Sequence, residues 1–191
     1  MTATDTSKQT TPQVTLSADW TDSSRQWSNE VVDVTELPSL SLLVHDHRGP
    51  IEQLQQSIRH FVEQRKQLEL FPNISRTFSL NYRRAPDADG NWHIGIAAEI
   101  PPQRKAAINA GKLAEGFRLH LFGAGEYARL RLQGGEAGLM LAAQWLIEHW
   151  LPQSAYEMAE GIVLFERLQF PPFVEPEQAL VDILVPVEAR I

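Results

Sequence analysis

Three glutamates stand on strand-like stretches of this chain beside neighbours that leave space for a ligand. Glu99 alternates onto one strand face with Gly95 and Ala97, and Glu157 shares a face with Ala155 and Ala159. Small neighbours leave a hollow beside a carboxylate. A poorly solvated carboxylate either takes a cationic partner or keeps its proton. The first state suits a receptor for cations and the second a general acid. The competing expectation is a solvated edge glutamate, or one paired with Arg118 or Arg129. Glu166 shares its face with Leu164 and Leu168, which points to burial, or to a salt bridge with Arg167 or Arg131. Trp92, on the strand that carries Glu99, is the preferred aromatic wall of such a site, with Tyr82 beside it. Trp145 lies on a buried helix, where an aromatic is more often core than ligand wall. His45 and His47 share one strand face, but no third ligand has matching spacing, so no metal is expected and a strand-end pair facing solvent or a groove mouth is. The chain has no nucleophile elbow, phosphate-cradling loop or dinucleotide fingerprint, so no cofactor is expected.

The elements that must hold these groups recur. His47-Arg-Gly-Pro50 ends an apolar strand and opens a helix, and Leu132-Gln-Gly-Gly-Glu136 does the same about eighty-five residues later. Strands are predicted over 31–34, 40–45, 77–83 and 92–100. The first helix follows Pro50, with Ile51, Leu54, Ile58, Phe61 and Val62 at helical spacing on one apolar face. In the second copy, strands over 118–122 and 126–132 precede a helix over 136–151 that is apolar nearly all round and closed by Pro152. Strands near 156–168 and over 180–187 follow. The expectation is an α+β fold of two βαββ repeats related by a pseudo-twofold axis, with two antiparallel sheets, two helices and a central ligand groove. Residues 1–28 are expected to be a disordered polar tail, with Trp20 and Trp27 as docking exceptions. Residues 29–191 form a single domain, with repeat one at about 30–102 and repeat two at about 117–191.

Bulk properties exclude several functions. With 24 acidic residues against 17 basic, a net charge of −7 repels phosphate backbones, so direct nucleic-acid binding is not expected. No run of eighteen apolar residues exists to span a membrane. The absence of cysteine rules out disulfides and fits a cytoplasmic location.

The residues His47–Pro50, Gly125-Glu-Tyr-Ala128, Gln144–Pro152, Ser154-Ala-Tyr-Glu157, Phe165-Glu166 and Ile183–Val187 occur in an order that resembles the gyrase-inhibitor-like small-molecule-binding domain. This domain is also the effector-binding half of several multidrug-sensing transcription activators. The resemblance covers roughly residues 30–191. It implies two βαββ units with a ligand groove between them, and a ligand that is apolar, often cationic and aromatic. It also places a buried carboxylate after the second helix, at the position of Glu157. The sequence departs from the pattern where Ile51 replaces the usual Tyr and where Arg167 and Leu168 follow Phe165-Glu166; residues 1–28 are too short and too polar for a helix-turn-helix, so none is expected there.

The function expected is therefore that of a stand-alone protein holding a hydrophobic or cationic small molecule, for sequestration or regulation. Glu157, Glu99, Glu166, Trp92, Tyr82 and Trp145 are its candidate ligand-binding residues. Two alternatives follow from relatives of the domain. One is a hydrolase of strained, cyclopropane-type electrophiles using Glu157, Glu99 and Glu166. The other is a partner protein that binds gyrase or a regulator.

Overall fold

The computed structural model describes Val14–Thr15, Trp27, residues 31–108, residue 111 and residues 113–191. Most of the 1–28 tail thus lies outside the described residues, Trp20 included. Trp27 does dock, packing edge-on against Trp145 with ring centroids 5.5 Å apart.

The strands are β1 (Val14–Thr15), β2 (Val32–Leu37), β3 (Leu40–Gly49), β4 (Thr77–Asn81), β5 (Trp92–Glu99), β6 (Phe117–Phe122), β7 (Gly125–Gln133), β8 (Tyr156–Met158), β9 (Val163–Gln169) and β10 (Leu180–Ala189). Helix α1 (Leu54–Gln67) follows β3, and α2 (Leu139–Trp145) follows β7. Apart from the parallel β1–β7 contact, every strand pairing is antiparallel. With β2 on the outer edge of β7, the order β2-β7-β10-β9-β4-β5-β3-β6 places β9 and β4 side by side at the centre. The leading strand of each half pairs with the other half: β2 runs against β7 and β6 against β3, in registers that repeat with an offset of 85 residues (Val32 to Phe117, His45 to Leu130). The halves are thus joined through both the β4–β9 ladder and these exchanged arms.

Alternation divides the side chains between two buried layers. On one face, Leu43, Ile96, Ala98 and Ile100 pack under α1, while Leu130, Leu132, Val181, Ile183 and Val185 pack under α2. On the opposite face, Leu37, Leu42, Phe78, Tyr127, Leu164 and Leu184 fill the middle of the surface that the two halves share. Burial on both faces is why β3 and β10 read as nearly continuous apolar runs.

The His-Arg-Gly-Pro segment works as a clamp. Gly49 has φ of 158°, Pro50 is extended, and a single 3₁₀ turn, Ile51–Gln53, leads into α1. His47 is buried beneath this corner. Its Nε2 lies 3.1 Å from the Pro50 carbonyl and its Nδ1 3.0 Å from the Ser57 hydroxyl. One tautomer satisfies both, with Nε2–H donating to the carbonyl and Nδ1 accepting from Ser57. His47 is therefore a helix-start clamp and not a solvent-facing residue. His45 stacks on Phe117 at 4.7 Å. No group of three or more metal-ligating side chains occurs among the described residues.

Two helical details differ from the periodicity. Val62 and Ile51 are exposed, and Gln64 and Arg65 take up the buried face of α1. The second helix does not stop at Leu151. It widens into a π-helix over Leu146–Trp150 and ends in one α turn, α3 (Leu151–Gln153), which contains Pro152. Proline lacks the N–H that would bond four residues back, so an ordinary α ladder cannot continue through it.

Among the described residues Arg65 has no carboxylate partner. Its guanidinium donates to the Leu70 carbonyl, to Thr77 Oγ1 at 2.7 Å and to the Ser75 carbonyl at 2.6 Å. Burial lowers its pKa to about 10, so it remains charged at neutral pH. Three neutral acceptors thereby fix the loop from Leu70 to Thr77 in one shape. Replacing Arg65 with Met should strand these acceptors and lower the unfolding free energy by about 3 kcal/mol. Urea denaturation of the two proteins checks this, and a midpoint unchanged from wild type would show that the loop is held by other means.

Candidate functional site

Because β4 and β9 are antiparallel, the start of β4 and the end of β9 meet at the same end of the sheet, with Phe78 opposite Glu166 and Leu80 opposite Leu164. The loop entering β4 and the loop leaving β9 enclose a groove of about 750 Å³ there. This is within the size range of small-molecule sites. Its rim is aromatic. Phe173 is 67% exposed and Phe71 47%, and Phe170 packs edge-on to Phe173 at 5.6 Å. Leu168 completes the apolar lining. Large aromatics left open around a concavity mark a surface that another molecule can cover.

The floor is ionic. Arg76 Nε and Nη2 donate to the two carboxylate oxygens of Glu166, each at 2.7 Å. The Glu166 side chain is 10% exposed and that of Arg76 34%. The guanidinium also lies 5.0 Å from the centroid of the Phe78 ring. The bond to Glu166 raises the Arg76 pKa against the opposing effect of burial, with Glu99 and Asp182 adding to the rise. Further along the same face, Asp182 is almost wholly buried and accepts two 2.6 Å bonds from Arg131. Arg129 pairs with Asp33 and reaches to 3.9 Å from Asp182. Four carboxylates (Asp33, Glu99, Glu166, Asp182) thus face three guanidinium groups (Arg76, Arg129, Arg131), leaving one net negative charge. Glu99 is the carboxylate of the four that forms no hydrogen bond or ion pair among the described residues. It sits beside Arg76, linked through the backbone by a 2.9 Å bond from Glu99 N–H to the Arg76 carbonyl.

The structure gathers some of the sequence candidates and scatters others. Glu166 is buried at the seam, and its partner is Arg76 instead of Arg167 or Arg131. Glu99 is half-buried close by. Glu157, expected in a hollow, is exposed: it lies on the three-residue strand β8 opposite the exposed Glu188 at the outer end of β10. The physical reason is a break in the strand expected over 156–168. The chain turns at 159–162, where Gly161 passes so close to Pro186 that a Cβ would lie 3.1 Å from its ring. Trp145 is core, 6% exposed under β7 and β10. Trp92 begins β5, at the end away from Glu99, and alternates with Ile94 and Ile96 onto the α1 side.

Tyr82 marks the opposite end of the shared face. Its ring stacks on His93 at 4.2 Å, and its hydroxyl accepts a 2.6 Å bond from Arg118, which pairs in turn with Asp46 at 3.0 Å. Burial pushes the Asp46 carboxyl upward, but the Arg118 bond and charge outweigh this and hold it below its ordinary range. Gly95 makes room for the arrangement, since a Cβ there would lie 2.9 Å from the Tyr82 hydroxyl.

The residues that sequence reasoning missed are Arg76 and the aromatic rim. A signal for the rim was present: Phe71-Pro72 and Phe170-Pro171-Pro172-Phe173 put large apolar side chains in proline-held loops, away from any core-facing periodicity. Nothing comparable identified Arg76.

Comparison with known proteins agrees with this architecture. The probable transcriptional regulator YgiV of Escherichia coli (strain K12) is 27% identical over 161 residues, covering 82% of this chain and 95% of YgiV. The crystal structure of the EcmrR C-terminal domain superposes with a TM-score of 0.66 at 12% identity, covering 83% of this chain and 98% of that domain. In the cryo-EM EcmrR–DNA complex the same likeness spans 57% of the longer EcmrR chain. A hydrolase from Listeria innocua matches with a TM-score of 0.58 at 12% identity, over 82% of this chain and 91% of that one. These structural likenesses establish the fold. The family model for the GyrI-like small molecule binding domain matches residues 30–188, and this chain belongs to that family.

Proposed function

We propose that the protein holds an aromatic, cationic small molecule in the groove at the β4–β9 end of the shared face, and that it serves to sequester or sense that compound. One observation carries the reading. The groove joins an open aromatic rim to a buried carboxylate at the meeting line of the two halves, with the acids Glu99 and Asp182 close behind it on the same face. The rim supplies affinity through apolar burial. The carboxylate supplies selectivity, because a cation brought there gains a charge-assisted partner that a neutral ligand cannot use. A hydrolase would need a free acid–base pair facing the groove. Glu166 is held by Arg76, the unpaired Glu99 does not line the groove, and Glu157 lies at the far edge of the sheet, so this geometry favours binding over hydrolysis.

Crystal violet, a triaryl cation, and its neutral leuco form carry the same three aryl groups and differ in charge and in the geometry of the central carbon. Glu166→Gln should weaken the cation about tenfold and the leuco form by less than about twofold, while Glu157→Gln should leave both unchanged. Titration calorimetry reads the four affinities, and an equal loss of both dyes in the Glu166 variant contradicts a role for charge.

The exposed Phe173 offers a second check. Phe173→Ser should weaken both dyes severalfold while shifting unfolding by no more than about 0.5 kcal/mol, since the side chain is mostly in solvent. Unaltered affinity for both dyes would place the ligand elsewhere.

A further inference from the structure

Resting on the reading of the groove just given, we infer that Arg76 is a resident stand-in for the ligand's cation, and that the groove's polar end is shaped for a planar, delocalised cation such as an aryl amidinium or guanidinium. Glu166 presents both oxygens to one fork of two N–H donors, each bond 2.7 Å long. The Phe78 ring lies beneath the same guanidinium at 5.0 Å. A carboxylate that accepts two parallel bonds, backed by an aromatic face, is a seat for a flat cation and fits a tetrahedral ammonium less well. The protein's own cation already fills it.

Three features make the occupant exchangeable. Arg76 stands at the junction of loop and ladder, with its backbone held by Glu99 N–H, so exchange needs only its side chain to move. Its side chain is 34% exposed against 10% for Glu166, so the cation can leave into solvent while the carboxylate stays behind. Glu99 stands unpaired among the described residues beside the seat, while Arg167, which also lines the groove, is held by Glu136. With Arg76 withdrawn, the unpaired carboxylates Glu166 and Glu99 are left together beside the pair of Asp182 with Arg131. A buried, unpaired charge is costly, which keeps Arg76 in place until a competing cation arrives. Arg76 then acts as a selectivity filter: a neutral aromatic can wet the rim, but only a cation can take the seat.

The test uses 4-phenylbenzamidine, the neutral 4-phenylbenzamide and the anionic 4-phenylbenzoate as matched probes. Their affinities are measured on wild type, Arg76→Ala, Glu166→Gln, the double variant and Phe173→Ser. Arg76→Ala should tighten the amidine by about tenfold and leave the amide within about twofold, and the gain should vanish in the double variant. An equal gain for the amide would reduce Arg76 to a mere obstruction, and a folded variant with no gain for the amidine overturns the proposal. So does preferential binding of the benzoate that is lost in Arg76→Ala, which would make Arg76 an anion receptor. Arg76→Gln keeps most of the side-chain volume and should change affinities in the same direction if the alanine variant does not fold. Wild type alone also reports: the Arg76 Nε–H resonance should shift and exchange faster with solvent when amidine saturates the groove, and an unperturbed resonance overturns the exchange. If Phe173→Ser weakens all three probes while Arg76→Ala favours none, the groove stands and only the role of Arg76 falls. If Phe173→Ser weakens none, the groove itself is wrong.

Discussion

The ion pair between Arg76 and Glu166 is the interaction around which this molecule is organised. It crosses the β4–β9 junction, where one half of the chain meets the other, and joins side chains 90 residues apart in sequence. A carboxylate this buried needs a counter-charge or a proton. Glu166 also lies directly opposite Asp182 in the ladder with β10, two acids on one face of the sheet. Like charges at such a position repel. Arg76 on one side and Arg131 and Arg129 on the other interleave with them. The face can therefore carry several acids under low solvation while the apolar plug of Phe78, Leu164 and Leu184 lies alongside.

The two ends of the shared face are built from exchanged charges. Asp46 and Arg131 occupy equivalent places under the 85-residue offset, as do Arg118 and Asp33. At one end the resulting pair closes under Tyr82 and His93, whose rings stack across it. At the other, the proline-held loops stand apart and leave the groove open. The sheet therefore offers a sealed end and an open end, and burial between them keeps the two in one rigid frame. Arg65 extends that rigidity into the wall of the groove, since it pins the loop that carries Phe71 and Arg76 through two backbone carbonyls and a hydroxyl.

Much of the frame could be read from residue order. The alternation of Trp92 to Ile100 placed Glu99 on the face of Gly95 and Ala97, as found, because period-two patterning leaves little choice when both faces are covered. The company of Leu164 and Leu168 likewise pointed to a buried Glu166. Glu157 was misplaced because Gly161 and its approach to Pro186 break the strand, and a break enforced by tertiary contact leaves no local pattern. The partner of Glu166 was out of reach for the same reason: sequence and expected register offered Arg167 and Arg131, and the arginine that pairs comes from a loop in the other half. The sequence points His47 to solvent or to a groove mouth, whereas its two hydrogen bonds depend on how the chain folds back after Pro50.

A co-crystal structure with crystal violet bears most directly on the central claim. The account predicts the dye seated among Phe71, Phe170 and Phe173, with a cationic nitrogen or the central carbon against the Glu166 carboxylate. Dye found at the Tyr82–His93 end, or against α1 with the β4–β9 groove empty, would contradict it.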